Sequence, residues 1–341
     1  MKIPQATQLP SGAWRVRVYV NGKVTSITRQ TEKEAIAEAM ALKVGMKKEA
    51  KRAPADMTLR EAIDAYIDLR EAALSPSTIR GYVYIRDHRF DSVMDRTINK
   101  TTDAMYQRAV NQQTRTHSPK TVKNAWCFVA SVLKTIADRE VDCALPQIVR
   151  NEHAFLDPDQ IPIFLEALSG KKIEIPALLA LHGLRASEVL DVTWNDIDLK
   201  KNLIHVRGSA VLDRDNQLVH KDTNKNTSSR RDVPILIDQL STAVTAADKS
   251  GEYVCTVKQT GLYNAINKVC TDAELPLVGT HGLRHSFASL CYHLNIPEQM
   301  TMALGGWSDP STMKKIYTHL ANRDKLSHAD ALRQFFKNAS K

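Results

Sequence analysis

Thr280-His281-Gly282-Leu283-Arg284-His285-Ser286 has the form of a helix start. Thr280 reads as the N-cap, because a threonine oxygen can accept from an N–H group that the first turn leaves unpaired. His281 and Arg284 stand three apart and so share one face of that turn. A helix N-terminus already attracts anions through its N–H groups and its dipole. A lone histidine there is usually a cap or a core residue. A histidine and an arginine together point more sharply to an anion site.

Three further segments belong with this one. Leu181-His182-Gly183-Leu184-Arg185-Ala186-Ser187-Glu188-Val189-Leu190 reads as two helices joined by a tight turn. Gly183 ends the first, Ala186 or Ser187 begins the second, and Arg185 sits between them. A guanidinium fixed in this way is suited to clamp a phosphate with its planar fork. Taken alone, the segment is better read as a structural Arg185–Glu188 pair. Gly305-Gly306-Trp307-Ser308-Asp309-Pro310 leads on to Lys314-Lys315-Ile316-Tyr317-Thr318-His319, where Tyr317 by itself would be a packing residue. Lys225-Asn226-Thr227-Ser228-Ser229-Arg230-Arg231-Asp232-Val233-Pro234 reads as a polar hairpin tip with a returning strand, and by itself it is a basic turn. Strand patterns at Leu203–Arg207, Leu218–His220 and Arg231–Ile235 predict one small sheet in a mostly helical C-terminal half. Asp157 is the expected N-cap of the helix that opens this half.

The rest of the chain reads as two smaller pieces. Ala13 to Val20 alternates apolar and basic residues, the period of a half-buried strand. Asn21-Gly22 is a hairpin turn, Val24 to Thr28 returns, and Thr31 to Glu34 has the form of a capping box for a helix over Ala35 to Met46. Arg15 and Arg17 fall opposite Trp14, Val16 and Val18. Lys47 to Asp56 reads as a linker. A second capping box at Thr58-Leu59-Arg60-Glu61, and Ser-Pro starts at Ser75 and Ser118, predict an all-helical segment. One of its stripes is Val122, Trp126, Val129, Leu133 and Ile136. Arg80, Arg86, Arg89, Lys120 and Lys123 lie off the stripes and are candidates for phosphate contact. The chain carries a net charge of +9, and residues 1–52 hold eleven Lys and Arg against four Glu. That balance favours a polyanionic partner. Five scattered cysteines with no Cys-x-x-Cys spacing argue against a disulfide framework or a zinc site. No apolar run is long enough for a membrane span and no secretory signal is visible, so a cytoplasmic location is expected.

The order Arg185, Lys225, His281-x-x-Arg284, Trp307, Tyr317 resembles the tyrosine recombinase family of the phage-integrase type, over roughly residues 156–320. The resemblance implies a multidomain, mainly α fold. Residues 1–52 would be a small β-sheet-plus-helix arm-type DNA-binding domain. Residues 57–145 would be an all-α, SAM-like core-binding domain, and residues 155–341 a mixed α+β catalytic domain. Arg185 and Arg284 would hold the non-bridging oxygens of the scissile phosphate. His281 would assist as an acid–base group or donor, and Lys225 would protonate the leaving 5′-oxygen. Tyr317 would attack to form a 3′-phosphotyrosyl link, with Glu188 in support. Lys221 is the alternative to Lys225, which is selected by aligning Ser228 to Arg231 with the family's hairpin. Trp307 stands where most members carry histidine. Its indole N–H can donate to the phosphate but cannot shuttle a proton.

The resemblance further implies a homo-tetramer on double-stranded DNA attachment sites, a Holliday-junction intermediate, and accessory DNA-bending or excisionase proteins. It implies neither a metal nor a cofactor. Arg15, Arg17, Lys120 and Lys123 are the expected DNA contacts away from the site. In the family the segment after the nucleophile docks on a neighbouring protomer, and Leu326, Ala329, Leu332, Phe335 and Phe336 give that segment an apolar face here, which could equally dock on its own chain. An integrase of a mobile element fits best, because the basic N-terminal sheet exceeds what a resolving or inverting recombinase needs. A type IB topoisomerase would share the chemistry. A DNA-binding regulator with a silent site would not need the complete set.

Overall fold

The computed structural model describes residues 5–20, 23–43, 56–148, 154–221 and 230–311, and beyond them Leu320, Ala329, Arg333, Phe336 and Lys337. It divides into two compact units, Met1–Val149 and Arg150–Lys341.

In the first unit, β1 (Ala6–Gln8), β2 (Trp14–Val20) and β3 (Lys23–Arg29) form an antiparallel sheet in that order, followed by α1 (Glu32–Lys43). The two-residue period of β2 puts Val16 and Val18 on one face. There they pack with Ile27 against Ala35 and Ala39 of α1. Arg17 is exposed on the other face, beside Ser26, and Arg15 is partly covered beside Thr28. Val20 pairs with Lys23, while the Asn21–Gly22 turn itself lies outside the described residues, as do the linker to residue 55 and the end of the helix reading at Met46. The Thr31 hydroxyl accepts from the Glu34 N–H at 3.3 Å, which starts α1 at Glu32.

Five helices follow: α2 (Leu59–Arg70), α3 (Pro76–His88), α4 (Asp91–Met94), α5 (Asp103–Thr114) and α6 (Pro119–Ala137). Their starts follow the local chemistry. Thr58 accepts from Glu61 N–H at 3.2 Å while the Glu61 carboxylate accepts from Thr58 N–H at 2.8 Å. Ser75 and Ser118 cap Thr78 and Thr121, with proline at the first helical position. Val122, Trp126, Val129 and Leu133 of α6 are buried against Leu59, Ile63 and Tyr66 of α2, while Lys120 and Lys123 stay exposed. Arg86 departs from the expectation of a phosphate contact. Its guanidinium is paired with Asp64 at 2.5 Å and Asp87 at 2.9 Å.

The second unit is built around α8 (Glu174–Leu181), whose residues from Ile175 onward are all buried. A helix that is apolar all round must be wrapped by others. Here the wrapping comes from α7 (Gln160–Leu168), α9 (Ala186–Val189), α10 (Asp238–Ala246), α11 (Gln259–Asp272) and α12 (Gly279–His293). A last helix, α13 (Glu298–Gly305), packs on α12. Between α9 and α10 the described residues make two small sheets rather than one. β4 (Ile197–Asp198), β5 (Leu203–Val206) and β8 (Arg231–Pro234) pair in that order. β6 (Ser209–Leu212) and β7 (Leu218–Lys221) make a separate hairpin.

Two caps differ from the sequence reading. The first residue assigned to α7 is Gln160, and its preceding position is Asp159. Asp157 still acts as a cap in part, since Gln160 Oε1 accepts from the Asp157 N–H at 3.0 Å and the Asp157 carbonyl accepts from Gln160 and Ile161. Thr280 is not the cap of α12. The chain enters that helix at Gly279, which takes φ +53° with the Tyr263 ring close above it, and Thr280 is buried within the first turn. The stop at Gly183 is a complete Schellman turn. Gly183 has φ +86°, its N–H donates to Ala180 O at 3.0 Å, and Leu184 N–H donates to Leu179 O at 3.3 Å.

Candidate anion-binding site

Two helix C-termini meet at the centre of the second unit. α13 ends as α8 does. Gly306 at φ +68° lets its N–H donate to Ala303 O at 3.3 Å and Trp307 N–H donate to Met302 O at 3.0 Å. Such ends gather carbonyl oxygens and the negative pole of the helix dipole, so they attract cations. Three arginines occupy this environment. Arg284 of α12 donates through Nη1 to the carbonyls of Gly183 and of Gly305, the latter at 2.7 Å. Arg185, at the head of α9, donates through Nη2 to the Gly306 carbonyl. Arg231 of β8 donates through Nε to the Leu304 carbonyl at 2.7 Å.

Glu188 is the carboxylate these cations share. Its oxygens accept from Arg185 Nη1 at 2.6 Å, from the Arg185 N–H at 2.8 Å and from Arg231 Nη2 at 3.0 Å. The Glu188 side chain is only 2% exposed. Burial alone would push this carboxyl up, but the Arg231 charge, its hydrogen bond and the bonds from Arg185 outweigh it and hold the group below the ordinary carboxylate value. Arg284 shows the opposite balance. Burial, then repulsion from Arg185, brings its guanidinium down to about 9, and Glu188 opposes the fall. It remains a cation at neutral pH. Among the described residues, three cations against one shared carboxylate leave excess positive charge here, which a bound anion would relieve.

Trp307 completes the cluster by stacking on Arg284, with the guanidinium carbon 4.0 Å from the ring centre. Gly305 permits this. A Cβ there would stand 1.9 Å from the Trp307 ring. His281 is exposed at the start of α12, its ring edge-on to that of His285 at 4.5 Å. Arg284, three residues on, is buried and turned to the carbonyls. The structure therefore brings together Arg185, Glu188, Arg284 and Trp307. Lys225, Tyr317 and most of the C-terminal segment lie outside the described residues. Lys221 is described, at the end of β7 opposite Ser209. Arg15, Arg17, Lys120 and Lys123 belong to the first unit.

Residues 154–323 match the phage integrase family. The chain belongs to that family. Among curated proteins it is similar to a tyrosine recombinase XerC-like protein of Caldanaerobacter subterraneus, 26% identical over 218 residues, which are 55% of this chain and 56% of that one. The chain thus spans just over half the length of that relative. Among solved structures its fold is similar to the Tn1549 transposon integrase in complex with circular intermediate DNA, with a TM-score of 0.64, 18% identity, and coverage of 81% of this chain and 100% of the other. It is also similar to the lambda integrase tetramer bound to a Holliday junction, with a TM-score of 0.53, 16% identity, and coverage of 90% and 96%. The chain has an integrase-like fold, with a small N-terminal sheet and a helical core. Among the described residues no helix is long and apolar enough to cross a membrane.

Two residues of this integrase-family site escape the sequence reading. Arg231 looks like part of a basic turn, yet it pairs with Val206 across the β5–β8 ladder and so faces inward with Val233. Its alternation with Val233 is the signal that could have found it. His182 lies next to Gly183 and is fully buried, donating from Nδ1 to Leu178 O at 2.7 Å and accepting at Nε2 from the Leu236 N–H at 2.9 Å. Nothing local in the sequence marks that second bond.

Proposed function

We propose that the protein is a site-specific tyrosine recombinase, the integrase of a mobile element, acting on double-stranded DNA. The observation that carries this reading is the cluster of Arg185, Arg231 and Arg284 around the single carboxylate of Glu188, held by the carbonyl ends of α8 and α13. A phosphodiester in reaction gains negative charge on its non-bridging oxygens, and preorganised guanidinium groups stabilise that charge without reorganising. Arg185, the more exposed of the pair, meets the phosphate. Arg284, covered by the Trp307 ring, adds its charge to the same site.

Tyr317 is the nucleophile in this reading. Its oxygen attacks phosphorus as the bond to the 5′-oxygen breaks, and Lys225, or Lys221 in its place, gives that oxygen a proton. His281 assists the proton transfers. A 5′-hydroxyl of a second strand then attacks the 3′-phosphotyrosyl bond and releases the tyrosine. One phosphodiester is exchanged for another, so the cycle consumes no ATP, and the arginines do the work a metal would otherwise do. Residues 1–52 serve as the arm-type DNA-binding domain, 57–145 as the SAM-like core-binding domain and 155–341 as the catalytic domain. The assembly is a tetramer on two duplexes that passes through a Holliday junction, with accessory DNA-bending or excisionase proteins setting direction.

The test is a nicked suicide substrate in EDTA without ATP, resolved on a denaturing gel. Wild-type protein should leave a covalent protein–DNA band. Tyr317→Phe should lose the band while keeping its affinity for the DNA. An adduct that persists in Tyr317→Phe, or a strict magnesium requirement for cleavage, refutes the reading.

A further inference from the structure

The hairpin of β6 and β7 ends at Lys221 and leads into the segment that holds Lys225. Whichever lysine protonates the leaving oxygen, its placement relative to Arg185 depends on how this hairpin is fixed to α9. Among the described residues β7 pairs with β6 alone, a two-stranded ribbon, and such ribbons are marginal by themselves. A polar contact ties it down. His220 of β7 donates from Nδ1 to Asp191 Oδ1 at 2.8 Å, with the two side chains 29% and 15% exposed. Asp191 leaves α9 directly, its N–H donating to the Glu188 carbonyl at 2.9 Å. The carboxylate that holds the hairpin is therefore three residues from the carboxylate that holds the arginines.

Two further features make this a built contact. The His220 ring stacks on Tyr253 at 3.9 Å and 21°, and the chain around Tyr253 is bonded to the strand leaving α9, with Val254 N–H on Val192 O and Trp194 N–H on Glu252 O. On the other side, a Cβ at Gly208 would stand 2.2 Å from Asp191 Oδ2 and 2.6 Å from the Lys221 carbonyl oxygen. Only glycine lets the start of the hairpin lie this close to both.

We propose that Asp191 and His220 form a positioning pair, which fixes the β6–β7 hairpin to α9 and so sets the proton-donating lysine against the arginines. The pair touches no reacting atom. It rests on the recombinase reading above, and acts through the lysine.

A substrate whose 5′-bridging oxygen is replaced by sulfur separates this role from a merely structural one, because sulfur leaves without a proton and the general acid becomes dispensable. Single-turnover cleavage is measured on the oxygen and sulfur substrates for wild type, Lys221→Ala, Lys225→Ala, Asp191→Ala, His220→Phe and the Asp191→Ala/His220→Phe double variant. His220→Phe keeps a ring to stack on Tyr253. The correct lysine variant should be slowed about 100-fold or more on oxygen and recover on sulfur. Asp191→Ala and His220→Phe should each be slowed about 10-fold on oxygen and recover on sulfur, and the double variant should be no slower than the slower single one, because both remove one contact. If a lysine variant recovers while Asp191→Ala or His220→Phe stays slow on sulfur, or cleaves oxygen at the wild-type rate, the positioning pair is refuted and the recombinase reading stands. If neither lysine variant recovers, the proton-donor assignment fails and the pair falls with it.

Discussion

Acid should weaken this protein through His182, and the size of the effect follows from its two hydrogen bonds. The imidazole is fully buried, gives its Nδ1 proton to the Leu178 carbonyl and accepts the Leu236 N–H at Nε2. A second proton would have to enter at Nε2, facing an N–H that already points at it. Burial accordingly brings the group down to about 4, against an ordinary value near 6.5, while the bond to Leu178 opposes the fall. The unfolded chain then binds the proton first as pH drops. The stabilising effect of a neutral His182 is complete above pH ~6.5, declines as pH falls below it and is lost by pH ~4. Linkage gives a loss of about 2 kcal/mol at pH 5 and about 3 kcal/mol at pH 4 from this residue alone. The assay is urea unfolding at pH 7, 6 and 5, with His182→Gln run beside wild type. Glutamine can accept from Leu236 but cannot gain a proton, so the variant should start about 1 kcal/mol or more less stable at pH 7 and show a flatter dependence down to pH 5. Parallel pH profiles for the two proteins would refute the reasoning.

Three other outcomes are expected. Glu188→Gln should destabilise by about 3–5 kcal/mol in chemical unfolding, because it leaves buried guanidiniums without their shared anion. Since the folded pKa of Glu188 is lowered, its contribution is present above the ordinary carboxylate value and disappears as pH falls from that value through the lower folded one, so the gap between wild type and variant should close in strong acid. Gly305→Ala should push the Trp307 ring off Arg284 at a cost of about 1–3 kcal/mol, seen as a lower Tm and altered tryptophan emission; an unchanged Tm would show that the close approach is not needed. Replacing Arg15 and Arg17 with alanine should weaken binding to long attachment DNA and reduce its salt slope by about 2, while a short core site is bound as before; equal slopes on both DNAs would argue for a protein partner instead.

Local rules made much of the fold legible. The capping box at Thr58, the Ser-Pro starts at Ser75 and Ser118 and the alternation in β2 each depend on a few neighbouring residues, and each appears in the structure as read. The turn at Gly183 is legible for the same reason. The misses are long-range or lack a pattern. β1 is three residues long and mostly exposed, too short to show a period. Thr280 is displaced from its cap because Tyr263, on α11, lies over Gly279 and the helix begins earlier. Arg231 faces the site only through its pairing with β5 across more than twenty residues of chain. The Arg185–Glu188 pair, which is the plain structural reading of that segment, is present, and so are the inward turn of Arg284 and the Trp307 stack that gather a site around it.

The structural pair and the anion site are therefore one arrangement, and α8 explains why. Its C-terminal turn supplies the Gly183 carbonyl to Arg284 and leads within two residues to Arg185. Its residue His182 binds the Leu236 amide, just beyond the strand that carries Arg231. Each arginine is thus referred to the same helix end, by a carbonyl, by chain continuity or by the histidine bond. Guanidiniums this close repel one another, and that repulsion adds to the burial that lowers Arg284, so they stay converged only while those attachments hold. On the proposed reading, the same repulsion means that an incoming phosphate would lower the energy of a cluster the fold has already assembled, instead of having to order three long side chains itself. It follows that protonating His182 loosens more than a buried helix end. It also loosens the link between Arg231 and Arg185, so the phosphate affinity of the folded protein should hold while stability declines and fall only as pH approaches about 4, although neither arginine changes its own charge there.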